Sequence, residues 1–201
     1  MTQASSFFKQ STDNENLTSR QIVIEQGLDY LKGVGTDQIC NICISDGGSC
    51  CKGCRNLAKE SGCRLRNTSC TSWLCGFLRF FLYEADLLEE WNTFWRQIPG
   101  REYREDYTPD YFKFRNTLIK RNTRFLSHEL AEDLKELSKK HPLQGYIIDL
   151  REKIDRNLDL LFDRETKPEK KALIKSNLGV LSKEFYRFHI ALESYRRQTY
   201  G

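Results

Sequence analysis

All eight cysteines of this 201-residue chain fall between Cys40 and Cys75, and the other 165 positions hold none. They run Cys40-x2-Cys43-x6-Cys50-Cys51-x2-Cys54-x8-Cys63-x6-Cys70-x4-Cys75. Thiols crowded in this way are either cross-linked or hold metal. The N-terminus, Met-Thr-Gln-Ala-Ser-Ser-Phe-Phe-Lys-Gln, lacks the apolar stretch and small-residue cleavage site of a secretory signal. The expectation is therefore a cytoplasmic protein in a reducing compartment, and with two Cys-x-x-Cys pairs this favours metal over disulfides.

Structural zinc takes four thiolate-rich tetrahedral ligands, and two residues between cysteines let both sulfurs reach one ion. Cys40/Cys43 and Cys51/Cys54 are such pairs, and Cys50, Cys63, Cys70 and Cys75 remain for a second site. Zinc is the expected ion, and a 4Fe-4S cluster held by four of the eight is the alternative, because spacing alone does not separate soft-ligand metals. Adjacent side chains point apart, so Cys50 and Cys51 are expected to serve different ions or to leave one thiol unligated. Gly47, Gly48, Gly53 and Gly62 supply the tight turns that a metal knuckle needs.

Thiolates also change how the charge is read. Two divalent ions on eight thiolates would offset the chain's formal +4. Residues 40–79 carry six basic side chains (Lys52, Arg55, Lys59, Arg64, Arg66, Arg79) against Asp46 and Glu60, a local excess suited to neutralising sulfur. Mild basicity is thus a weak pointer to nucleic acid. A protein or nucleic-acid partner is compatible with the sequence, and oligomeric state is not legible. The most apolar run, Trp73–Tyr83, is too short for a membrane span, so no membrane partner is expected.

The few glycines and prolines (12 and 4) favour long helices over a turn-rich β fold. Residues 1–17 read as a polar disordered tail and 18–35 as a short helix, capped by Thr18 or Ser19, with Ile24, Leu28 and Leu31 at helical spacing. Residues 36–72 read as an irregular Cys-rich metal-binding lobe and 73–201 as the helical bundle. Within the bundle, Thr71 or Ser72 opens a helix to about Gln97, with Cys75 in its first turn and Trp73, Leu74, Phe77, Leu78, Phe80, Phe81 and Leu82 buried. A second helix spans 108–140, with stripes of Leu126, Leu130, Leu134, Leu137 and of Tyr111, Phe114, Leu118, Phe125. A third spans 143–163 with Ile147, Leu150, Ile154, Leu158 and Leu161 on one face. A last one spans 168–198, where Ile174, Leu178, Leu181, Phe185, Phe188, Leu192 and Tyr195 form a heptad seam that packs inside the bundle rather than in a dimeric coiled coil. The fold class expected is all-α, an antiparallel helical bundle with the cysteine lobe inserted.

The order Cys-x-x-Cys, Cys50-Cys51, Gly62-Cys63, Arg66 and two final cysteines resembles bacterial zinc- or iron-chelating cysteine-cluster domains over residues 40–75. It departs from them in having Arg66-Asn67 where Arg-Pro is the family's pattern, and in the additional Cys54. The resemblance implies metal binding.

The run Arg121-Asn122-Thr123-Arg124-Phe125-Leu126-Ser127-His128 is similar to the Arg-polar-x5-His motif of helical nucleotide-binding ribonuclease domains, which implies Arg121, Asn122 and His128 as catalytic candidates. Two helical turns separate Arg121 from His128, so a helix would place both on one face. The cations of 111–125 read as a solvated face more readily than as a nucleic-acid stripe. His141, beside Pro142, and His189, beside the heptad seam, read as structural. The expected function is a non-catalytic, metal-stabilised binding or regulatory protein. The alternatives are the ribonuclease and an iron–sulfur redox sensor, whose lobe would melt on cluster loss.

Overall fold

A computed structural model describes residues 16–49, 54, 56–58, 62–63, 66–102, 105–115, 117–142 and 145–201, with 57–58 and 62–63 as backbone only. The described chain is mostly helical. In order it forms β1 (Asn16–Ser19), α1 (Arg20–Val34), α2 (Thr36–Ser45), β2 (Leu57–Ala58), β3 (Gly62–Cys63), α3 (Thr68–Ser72), α4 (Gly76–Glu84), α5 (Leu88–Arg96), β4 (Tyr111–Phe114), α6 (Arg124–Lys140), α7 (Tyr146–Phe162), α8 (Pro168–Leu181) and α9 (Tyr186–Tyr200). The strands make two antiparallel pairs, β1 with β4 and β2 with β3.

The apolar centre is α4, whose Phe77, Phe80, Phe81 and Leu82 are fully buried. It packs against α7, α7 packs against α8, and α6 lies between α2 and α9. Ile147, Leu150, Ile154, Leu158 and Leu161 of α7 and Leu126, Leu130, Leu134 and Leu137 of α6 are all buried, as their helical spacing predicts.

Three expected helices are shorter than their sequence patterns. The stretch from Ser72 to Gln97 is interrupted at Trp73–Cys75 and at Ala85–Leu87, where Asp86 adopts φ 57. The second break lets α4 and α5 fold onto one core, so that Trp91, Phe94 and Trp95 join the phenylalanines; Trp73, expected inside, is exposed. Among the described residues of 108–140, only Arg124–Lys140 are helical. Tyr111–Phe114 is a strand whose residues alternate exposed and buried, with Phe112 and Phe114 inward. Asn16 and Leu17, expected in the tail, pair with Phe114 and Lys113; the rest of that tail lies outside the described residues. The last helix breaks at Ser182–Phe185, yet its seam is buried on both sides of the break within one chain, with only Leu181 partly covered.

A partner from outside the helix explains that last break. Asp133 of α6 accepts the N–H groups of Arg187 (3.3 Å) and Phe188 (2.9 Å), the first-turn donors of α9. Phe188 can then meet Phe80 and Phe81. The cysteine region also departs from expectation at its start. Thr36–Ser45 is a regular helix packed on α6, so Cys40 and Cys43 sit on a helix rather than in an irregular knuckle.

Candidate metal centre

Residues three apart on a helix share a face, and this brings Cys40 and Cys43 to one side of α2. Cys43 is buried and Cys40 half-buried. The Arg151 guanidinium of α7, itself only 13% exposed, reaches Cys43 Sγ at 3.4 Å. Past Asp46 the chain turns back through Gly47 (φ 82), and the Gly48 N–H donates to the Cys43 carbonyl at 2.8 Å. A methyl at Gly48 would overlap Cys43 Sγ and its carbonyl. Asp46 is fixed by the Ser138 hydroxyl of α6 at 2.7 Å.

Cys75 is buried at the N-cap of α4. The next residue, Gly76, presses against the Arg151 carbonyl and Asp155 so closely that no side chain fits. One turn of α7 therefore touches the start of α4 with its backbone and Cys43 with its side chain. Cys70 is exposed on α3, where its sulfur accepts the Asn67 N–H at 3.2 Å while the Asn67 side chain accepts the Cys70 N–H at 2.9 Å. Asp106 anchors the same helix by accepting the Thr68 N–H (2.8 Å), the Thr68 hydroxyl (2.9 Å) and the Thr108 N–H (2.9 Å). Cys54 is exposed, and Cys63 stands opposite Leu57 in the β2–β3 pair. Cys50 and Cys51 lie outside the described residues.

The donor chemistry suits a soft metal, but the described residues supply half-sites. Among them no three His, Cys, Asp or Glu side chains converge on one point. A four-thiolate centre using Cys40 and Cys43 would therefore draw further ligands from the cysteines outside that set.

Of the six cations that the sequence places near the cysteines, Lys52, Arg55, Lys59 and Arg64 lie outside the described residues. Among the described residues, Arg79 pairs with carboxylates rather than sulfur: it bonds Asp155 (2.8 Å) and Asp159 (2.6 Å) of α7. Burial pushes the Asp155 carboxyl above its ordinary value, and the Arg79 charge only partly offsets this. A cation that does reach Cys43 is Arg151, 108 residues away and far outside the cysteine region. Its sequence signal is its position beside Leu150, at the edge of the α7 apolar stripe.

The ribonuclease geometry requires correction. Arg121 and Asn122 precede α6, so no helix face unites them with His128. Arg121 faces Glu90 at 3.6 Å, and His128 Nδ1 pairs with Gln38 Oε1 at 3.2 Å. Lys120 and Arg124 pair with Asp29 (3.7 Å) and Asp37 (3.4 Å), which neutralises much of the basic run. His141 stacks on Tyr146, and His189 Nε2 lies 2.9 Å from the Ser182 carbonyl oxygen at the α8–α9 corner. Among the described residues, no helix is long and apolar enough to cross a membrane. Comparison with known proteins returned no matching family model, no matching curated protein and no matching solved structure.

Proposed function

We propose that this protein is a metal-binding, non-catalytic binding or regulatory module, with zinc thiolates holding the segment Cys40–Cys75 against a helical body. The observation that carries the reading is the confinement of all eight cysteines to 36 residues. Two features of the fold support it. Cys40 and Cys43 are presented one turn apart on α2, and Arg151 places a cation against Cys43, which favours the anionic, metal-binding form of a thiol. Cys40, Cys43, Cys50, Cys51, Cys54, Cys63, Cys70 and Cys75 are the ligand pool for two four-cysteine sites. A bound metal would supply cross-links along that segment.

Elemental analysis of protein purified without oxygen tests this. The expected result is about two tightly held zinc ions per chain, with loss of binding in a Cys40→Ser, Cys43→Ser double variant. Brown protein containing iron and sulfide would move the assignment to the iron–sulfur sensor. Absence of tight metal, with the thiols joined in disulfides, would overturn the reading. RNA cleavage abolished by His128→Ala would overturn its non-catalytic part.

A further inference from the structure

Helix α8 carries apolar residues on two opposite sides. Ile174 and Leu178 turn inward and are buried, while Leu173 and Val180 turn outward and are 62% and 61% exposed. Seven residues apart, these two share one face. The residues around them, Ala172, Ser176, Asn177 and Gly179, are exposed and uncharged, whereas 30% of the whole chain is charged. The ends of this face have opposite signs. Glu169 lies in the first turn and Lys183 just past the last, and neither has an ion-pair partner among the described residues. Above Gly179 there is open space: a Cβ built there meets nothing within 4 Å.

We propose that this face docks a second copy of the chain, helix against helix and antiparallel, about a two-fold axis through Ser176. The pattern is its own complement under that operation. Leu173 of one copy falls over Gly179 of the second, a large side chain against the open space. Val180 meets Ala172. Glu169 meets Lys183, so each two-fold pair brings opposite charges together twice. Lys175 falls opposite Asn177, and no like charges face each other along the seam. Parallel packing would instead stack Glu169 on Glu169 and Leu173 on Leu173, so the charge order selects the antiparallel arrangement. The seam is about 20 Å long at the α-helical rise. One helix face of that length buries less than the roughly 800 Å² per partner of a standard interface, so association is weak and concentration-dependent. The surface is separate from the cysteines, and it is not the heptad seam of α8 and α9, which is consumed inside one chain.

Sedimentation velocity on the full chain under reducing conditions, from micromolar to millimolar, tests the proposal. The wild type is expected to shift from monomer to dimer. Leu173→Glu should remain monomeric with unchanged helical circular dichroism. Glu169→Lys and Lys183→Glu should each weaken the dimer by roughly five- to tenfold, and the double reversal should restore it. Both charge sites are exposed, so these variants fold whatever Leu173→Glu does. A wild type monomeric throughout, or a dimer that the single reversals leave unchanged or the double reversal fails to restore, overturns the proposal. So does a monomer that binds phosphatidylserine vesicles through Leu173, since the face would then serve a lipid surface.

Discussion

The Arg151 guanidinium lies 3.4 Å from the Cys43 sulfur and joins α7 to α2 across 108 residues of chain. If Cys43 ligates metal, this cation orients and neutralises the sulfur from outside the ligand set. Removing it should cost about ten- to a hundredfold in metal affinity, as loss of an outer-shell partner does elsewhere. Arg151→Met, titrated against a chromophoric chelator, is the measurement, with Arg151→Lys expected to recover part of the loss. An unchanged affinity would leave Arg151 a packing residue only.

Gly48 is predicted to be intolerant of any side chain. A Cβ added there would run into Cys43 Sγ and the Cys43 carbonyl, the latter held by the Gly48 N–H. Gly48→Ala should cost about 1–3 kcal/mol, the usual range for forcing a methyl into filled space. Urea denaturation of metal-free protein reads this, and keeps it apart from any effect on metal.

Asp133 supplies the cap that α9 lacks in its own sequence, since Phe185 stands at the N-cap position. Asp133→Ala leaves the Phe188 and Arg187 N–H groups without their acceptor and should cost about 1–2 kcal/mol. The amides of 186–190 should then lose hydrogen-exchange protection before those of α7.

Two carboxylates, buried Asp133 and half-buried Asp106, are shifted in opposite directions from their ordinary values. Burial raises Asp133, and the N–H groups of Phe188 and Arg187 with the Arg187 charge only partly counter it. Its folded value lies above its unfolded one, so its contribution is full in acid and is lost as pH rises through the folded value. For Asp106 burial also works upward, but the hydrogen bonds from Thr108 and Thr68 outweigh it and hold the carboxyl below 3.8. That contribution is present above the unfolded value and is lost as pH falls through the folded one. Carboxyl-carbon NMR titration should therefore find Asp133 protonating first on acidification and Asp106 last. The reverse order would refute both assignments.

Phe80 touches both Phe185 and Phe188, at ring separations of 5.7 and 5.9 Å, and so links the central helix to the end of the α8–α9 break and to the first turn of α9. Phe80→Ala should cost about 3–5 kcal/mol by thermal or urea unfolding. A cost under 1 kcal/mol would mean that the neighbouring rings close the cavity.

Periodicity alone marked the inward stripes of α6 and α7 and the apolar run of α4, because burial of a helix face depends only on spacing and side-chain chemistry. The confinement of the cysteines to Cys40–Cys75 was equally plain from the order of residues. Where those helices end was decided by tertiary contacts: Asp133 capping a helix 54 residues away, Asp86 turning the chain at φ 57, and β1 pairing with the Tyr-Phe-Lys-Phe run. A propensity of a few tenths of a kcal/mol per residue cannot resist such partners. The same reason hid Arg151. What a cysteine is chemically is written locally, but which cation reaches it depends on how α2, α4 and α7 meet.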